Sequence, residues 1–151
     1  MLVAASIPSV WADTVLSAER QYLARLLAWA ALSIIAATAI AVVLAARHIK
    51  SPVLKHFAVQ LGGWGFVLGL VGAMAWHGLH LRDLAGATRL ERATWMRVGF
   101  DVGVIGMGAV LAASSRWFGR NMAGMGAGAG LAVQGAALLV IDLQLVSAVS
   151  R

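Results

Sequence analysis

Residues 26–46 read LLAWAALSIIAATAIAVVLAA and are closed by Arg47, His48 and Lys50. No charged side chain interrupts the run. At ~1.5 Å per residue it spans a hydrocarbon core of ~30 Å, and it lacks the charged outer face that a helix in a soluble bundle needs. Pro52 marks the turn that follows. The same pattern recurs from Phe57 to Trp76, from about Val98 to Ala113 and from about Met122 to Val146. Thr94, Trp95 and Met96 lengthen the third run to a full crossing. The expected fold is all-α: an integral membrane bundle of four transmembrane helices at about 26–46, 57–76, 94–113 and 122–146, with a tail at 147–151.

Composition agrees. The chain is 61% hydrophobic and 12% charged, against ~45–50% and ~25% for soluble domains. It has no cysteine, which excludes disulfides, thiolate catalysis and Cys-ligated metals or clusters. The net charge of +6 does not indicate a nucleic-acid partner, because the basic residues flank apolar runs. There Lys and Arg meet phospholipid headgroups, so membrane lipid, anionic lipid in particular, is the expected partner.

Residues 1–25 form a separate N-terminal segment, in which Trp11 to Arg25 reads as an interfacial amphipathic helix leading into the first span. Ser9-Val10-Trp11-Ala12 before Asp13 faintly resembles a signal-peptidase site, yet Met1 to Ala12 has no basic start and is short for a signal peptide.

Four crossings bring both ends of the bundle to one side, with the loop between the second and third helices. We call this side face A and the opposite side face B. Face A holds Arg20, Arg25, Arg82, Arg89, Arg92, Arg97 and Arg151, and face B holds Arg47, Lys50, Lys55, Arg116 and Arg120. Seven against five does not set an orientation. Trp29, Trp76 and Trp95 near face A, with Phe57, Trp117 and Phe118 near face B, are expected as interfacial anchors.

Small residues recur at helical spacing in every span: Ser33, Ala37, Ala41 and Ala45; Gly65 and Gly69; Gly99 and Gly103; Gly124, Gly126, Gly128 and Gly130. Such stripes let backbones approach, and packing inside the bundle is the plain expectation. Docking of a helix from another subunit is the sharper one. The glycine run is not a phosphate loop, since no Gly-Lys-Ser/Thr follows it.

Gln60, Asp101, Gln134 and Asp142 interrupt otherwise apolar spans. Asp101 lies near the start of the third span and Asp142 near the end of the fourth, so both belong to one layer near face A. His77, His80, Tyr22 and Arg25 fall at the same depth. Arg97, four residues before Asp101, is placed to pair with it along the helix. Two uses of this layer stay open. It clamps the helix register, or it forms a proton or ion relay or a small polar ligand site, for which a carboxylate beside an imidazole is suited. Gln60 and Gln134 read as interhelical hydrogen-bonding groups. No Ser-His-Asp spacing suggests a triad and no third metal ligand accompanies the two aspartates, so no catalytic or metal residue is assigned. The histidines are not disposed as facing bis-His haem ligands, which leaves a single axial His on a haem or chlorophyll-type pigment as the remaining cofactor idea.

Three segments resemble the motifs of a bacterial family of four-helix membrane proteins with no assigned function. His56-Phe57-Ala58-Val59-Gln60 with Gly63-Trp64-Gly65 is similar to its second-span signature. Gly99-Phe100-Asp101-Val102 resembles its Gly-Leu-Asp motif, and Gly130, Val133-Gln134-Gly135 and Leu138-Leu139-Val140-Ile141-Asp142 resemble its Gln-Gly and Asp pattern. The likeness runs from about Phe57 to Val146. This chain departs from it where the family pattern carries Asn, with Val67 and Leu68 after the Trp-Gly and Arg97 before the third-span motif. The resemblance implies the four-helix fold and supports the set of polar residues, and it supplies no activity; the bacterial inner membrane is the expected location.

Function is therefore expected to be non-enzymatic: an accessory or scaffold subunit of a larger membrane complex, bioenergetic for instance, joined to other subunits or to itself. The alternatives are a small oligomeric carrier, channel or proton-linked binder using Asp101 and Asp142, and a pigment-binding subunit.

Overall fold

A computed structural model describes residues 7–117, 119 and 121–150, with side chains from Trp11 onward. Met1 to Ser6, Phe118, Arg120 and Arg151 lie outside the described residues. Four helices follow one another: α1 (Ile7–Ala46), α2 (Pro52–His77), α3 (Leu84–Trp117) and α4 (Met122–Val149). Each is long and apolar enough to cross a membrane.

Two helices exceed a bilayer. α1 has 40 residues and α3 has 34, about 60 and 51 Å at ~1.5 Å per residue against a core of ~30 Å. Their surplus lies at face A, before the apolar runs. The separate interfacial helix expected over Trp11 to Arg25 is corrected here, because α1 runs through that segment without a break. No Gly or Pro occurs between Ser9 and Ala46 to interrupt it, and Val15, Leu23 and Leu26 bury inward.

Local chemistry sets the helix ends. α1 stops in a Schellman turn, with Ile49 N donating to Leu44 O at 2.9 Å and His48 N to Ala45 O at 3.2 Å. His48 holds the left-handed position at φ 51°, where a glycine is the usual occupant. Ser51 then caps α2, its hydroxyl accepting from Leu54 N at 3.3 Å, and Pro52 occupies the first turn. Asp83 accepts from Gly86 N at 2.7 Å at the start of α3, and the Asn121 side chain accepts from Ala123 and Gly124 at the start of α4.

α4 is the centre of the bundle, packing against α1, α2 and α3, while α1 and α2 also pack on each other. α3 makes its extended contact with α4. That seam is close because it is built from glycine. A Cβ on Gly128 would stand 2.6 Å from the Gly108 carbonyl oxygen, and one on Gly135 would stand 3.0 Å from the Asp101 carbonyl oxygen. Gly65 does the same for α1 and α2, against the Ala30 carbonyl. Gly126 lies on Val53 and Gly130 on the Gln60 side chain. Gly69 has only ordinary contact with Ala30, and the space beside Gly99 and Gly103 is open. Those last two do not pack within the bundle, because they lie on the side of α3 turned away from α4.

Candidate functional site

The site begins as a stripe on α1. Val15, Glu19, Tyr22, Leu26, Ala30, Ser33 and Ala37 are all buried. They follow one another at intervals of three or four, one face of an α-helix. Three members of this stripe are polar, and each meets a polar group from another helix or loop.

Ser33 belongs to a layer around Gln134, which is 0% exposed. The Gln134 oxygen accepts from Trp29 Nε1 at 2.7 Å. Its amide nitrogen donates to Ser33 Oγ at 3.1 Å and to the Leu61 carbonyl at 3.4 Å. One side chain thus ties α4 to α1 and α2 and uses both its donors. Trp29, expected as an interfacial anchor, is corrected: it is half-buried, and its indole N–H turns inward because Gln134 offers a buried acceptor.

Tyr22 belongs to a second layer, nearer face A, built from Arg97 on α3 and Asp142 on α4. Arg97 Nε stands 3.7 Å from Asp142 Oδ1. Its Nη2 donates to Thr94 Oγ1 at 2.9 Å, and its guanidinium lies 5.0 Å from the centre of the Tyr22 ring. The Asp101 and Asp142 carboxyl groups and the Tyr22 hydroxyl are near enough to interact electrostatically. Asp101 is 2% and Asp142 3% exposed. The pairing of Arg97 with Asp101 along α3 is therefore corrected to a pairing with Asp142 across the seam. A basic residue placed before an acidic one is the weaker order for a helical pair, and the expected gain is only ~0.2–0.5 kcal/mol.

This layer is incompletely satisfied. Arg97 Nε, Asp101 Oδ2 and Asp142 Oδ1 are buried without a hydrogen-bond partner. Arg97 also lines a cavity of about 280 Å³ on the face A side, together with Glu19, Tyr22, Arg82, Leu90 and Leu145. Glu19 and Arg82 form its outer wall through two bonds, Nε to Oε2 and Nη2 to Oε1, both 2.7 Å. Arg82 lies in the loop between α2 and α3, and its bond to Glu19 raises the guanidinium above its ordinary value. This pair escaped the sequence reading. Its signal was Glu19 itself, an acid in phase with Tyr22, Leu26 and Ser33 on an otherwise apolar stripe.

The remaining residues separate. His77 and His80 do not join the aspartates. Both are exposed and bond backbone carbonyls of their own segment, those of Ala73 and Gly78. The buried stripe of α2 runs through Leu61, Gly65, Leu68 and Gly72, and His77 falls out of phase with it. Arg25 is exposed as well. Gln60 is half-buried and meets α4 through its aliphatic stem. Trp76, Trp95 and Trp117 are exposed, Trp76 and Trp117 at the ends of α2 and α3 and Trp95 about a third of the way along α3. No three His, Asp or Glu gather as a metal site among the described residues.

A sequence profile described as a family of unknown function, DUF6992, matches residues 25–143, and the chain belongs to that family. The match includes the first span, which the motif resemblance left unmarked. No curated protein matches the chain, and no solved structure does.

Proposed function

We propose that this member of DUF6992 is a non-enzymatic protein of the bacterial inner membrane that uses Arg97, Asp101 and Asp142 as a proton-linked centre, serving an ion or a small polar ligand that enters from face A. The observation carrying this reading is a buried group of two carboxylates and one guanidinium beside a cavity, in which Arg97 Nε, Asp101 Oδ2 and Asp142 Oδ1 make no hydrogen bond and Arg97 meets Asp142 only as an ion pair at 3.7 Å. Two carboxyl groups oppose one guanidinium. With both acids ionised the centre is negative by one charge, and with one proton it is neutral. A buried net charge is costly in a membrane, so proton exchange and ligand charge are coupled at such a site. The cavity supplies the route, because Arg97 touches both it and Asp142.

The test is proton movement in liposomes under an imposed pH gradient, followed with an enclosed pH-sensitive dye. The native chain conducts or couples protons, and Asp101→Asn and Asp142→Asn stop it while keeping the folded yield. Loss of folded yield in both variants, with no proton movement in the native chain, identifies a structural clamp and removes this reading.

A second reading, an accessory subunit of a larger complex, draws on α3. Its outward side carries exposed Met96, Phe100, Met107 and Val110 beside the open Gly99 and Gly103. That surface suits the close approach of a helix from another subunit or a second copy. Stoichiometric larger subunits retained through purification from native membranes in mild detergent support it, and recovery of the chain alone removes it.

A further inference from the structure

At face B the small-residue stripe of α1 changes role. Ser33 and Ala37 are buried within the bundle, but Ala41 and Ala45 line an open groove between α1 and α2. The groove has a volume of about 870 Å³, within the ~300–1,000 Å³ of clefts that hold small ligands. Its cause is local. The first turn of α2 leans on α4 through Val53 and Gly126, and the Schellman turn carries the chain across with Ile49 and Leu44 turned to the groove. The small side chains of α1 leave the gap between the helices unfilled. From Ala37 to Ala45 the apolar channel runs about 12 Å along α1.

The mouth of this channel is basic. Lys50, Lys55 and His56 line it, and Arg47 precedes them. All the acidic residues of the chain lie at or near face A: Asp13, Glu19, Asp83, Glu91, Asp101 and Asp142. An occupant with a long apolar body and an anionic head at the level of the interface matches both parts of the groove. From this geometry we infer that the groove between α1 and α2 holds one anionic glycerophospholipid, its acyl chain along Ala41 and Ala45 and its phosphate between Lys50 and Lys55. The site is distinct from the aspartate centre and does not depend on its function.

Incorporation into nanodiscs of phosphatidylglycerol and phosphatidylcholine in equal amounts, followed by native mass spectrometry from mild detergent, tests it. The expected result is one phosphatidylglycerol retained in preference to phosphatidylcholine. The preference falls about fivefold for each of Lys50→Gln and Lys55→Gln, as ~1 kcal/mol per basic group near an anionic surface requires. Ala41→Phe, which fills the channel, abolishes retention of that lipid. Equal retention of the two lipids, an unchanged preference in the Lys50→Gln/Lys55→Gln variant, or displacement of the lipid by inorganic phosphate alone overturns the assignment. Both lysines are exposed, so those variants remain informative even if Ala41→Phe does not fold.

Discussion

Two polar layers sit within the same bundle, joined to the same stripe of α1, and they are finished differently. Around Gln134 both donors are used and Trp29 supplies the oxygen with a partner. Around Asp142 three buried polar atoms make no hydrogen bond, and two of them, Arg97 Nε and Asp142 Oδ1, meet only as an ion pair at 3.7 Å. A buried polar group without a partner costs ~1–3 kcal/mol, more for a charged one. The first layer therefore has the character of a fastening among α1, α2 and α4. The second holds groups whose bonding is left open beside a cavity, the condition for a site that exchanges a proton or accepts a ligand.

The largest expected effect is on the fastening. Gln134→Leu strands the Trp29 indole N–H and removes the donor to Leu61 and Ser33. The expected loss is about 2 kcal/mol, between the ~0.6 kcal/mol typical of an interhelical bond in membranes and the full penalty for stranded groups. Thermal unfolding in one detergent reads it. A Tm equal to the native chain's would erase the distinction between the layers.

Next comes the wall of the cavity. Arg82→Gln leaves Glu19, whose side chain is 8% exposed, without its cation. A cost of about 1 kcal/mol is expected, kept small because Arg82 itself is partly exposed. The same unfolding series checks it, and an effect larger than that of Gln134→Leu would move the structural weight to face A. The smallest effect belongs to Asp101→Asn, within about 1 kcal/mol, since the amide keeps the shape and, like the protonated acid, offers one acceptor oxygen and a donor. A large loss there would turn the open layer into a second fastening.

The helices were legible because long uncharged runs have one solution in a bilayer, and the position of both aspartates near face A followed from topology alone. What escaped lay in the parts that extend beyond the membrane or cross between helices. The first turns of α3 carry Arg89, Glu91 and Arg92, so an apolar-run criterion stops short of Leu84, although no helix breaker lies between Gly86 and Gly99. Trp29 fits the pattern of an interfacial anchor, and its actual partner is 105 residues away. Arg97 had a near acid on its own helix and a farther one on the next, and only the glycine seam of α3 and α4 decides between them. His77 lay at the right depth but on the wrong face, a difference of helical phase that depth alone does not reveal.

Infrared difference spectroscopy of the lipid-embedded chain between acid and neutral pH reads directly whether Asp101 and Asp142 form one proton-exchanging centre. A shared centre gives a carboxylic-acid carbonyl band that disappears in Asp101→Asn and in Asp142→Asn alike, because the two groups share the exchange, and that survives in Arg82→Gln. A spectrum in which neither substitution removes a band would contradict it.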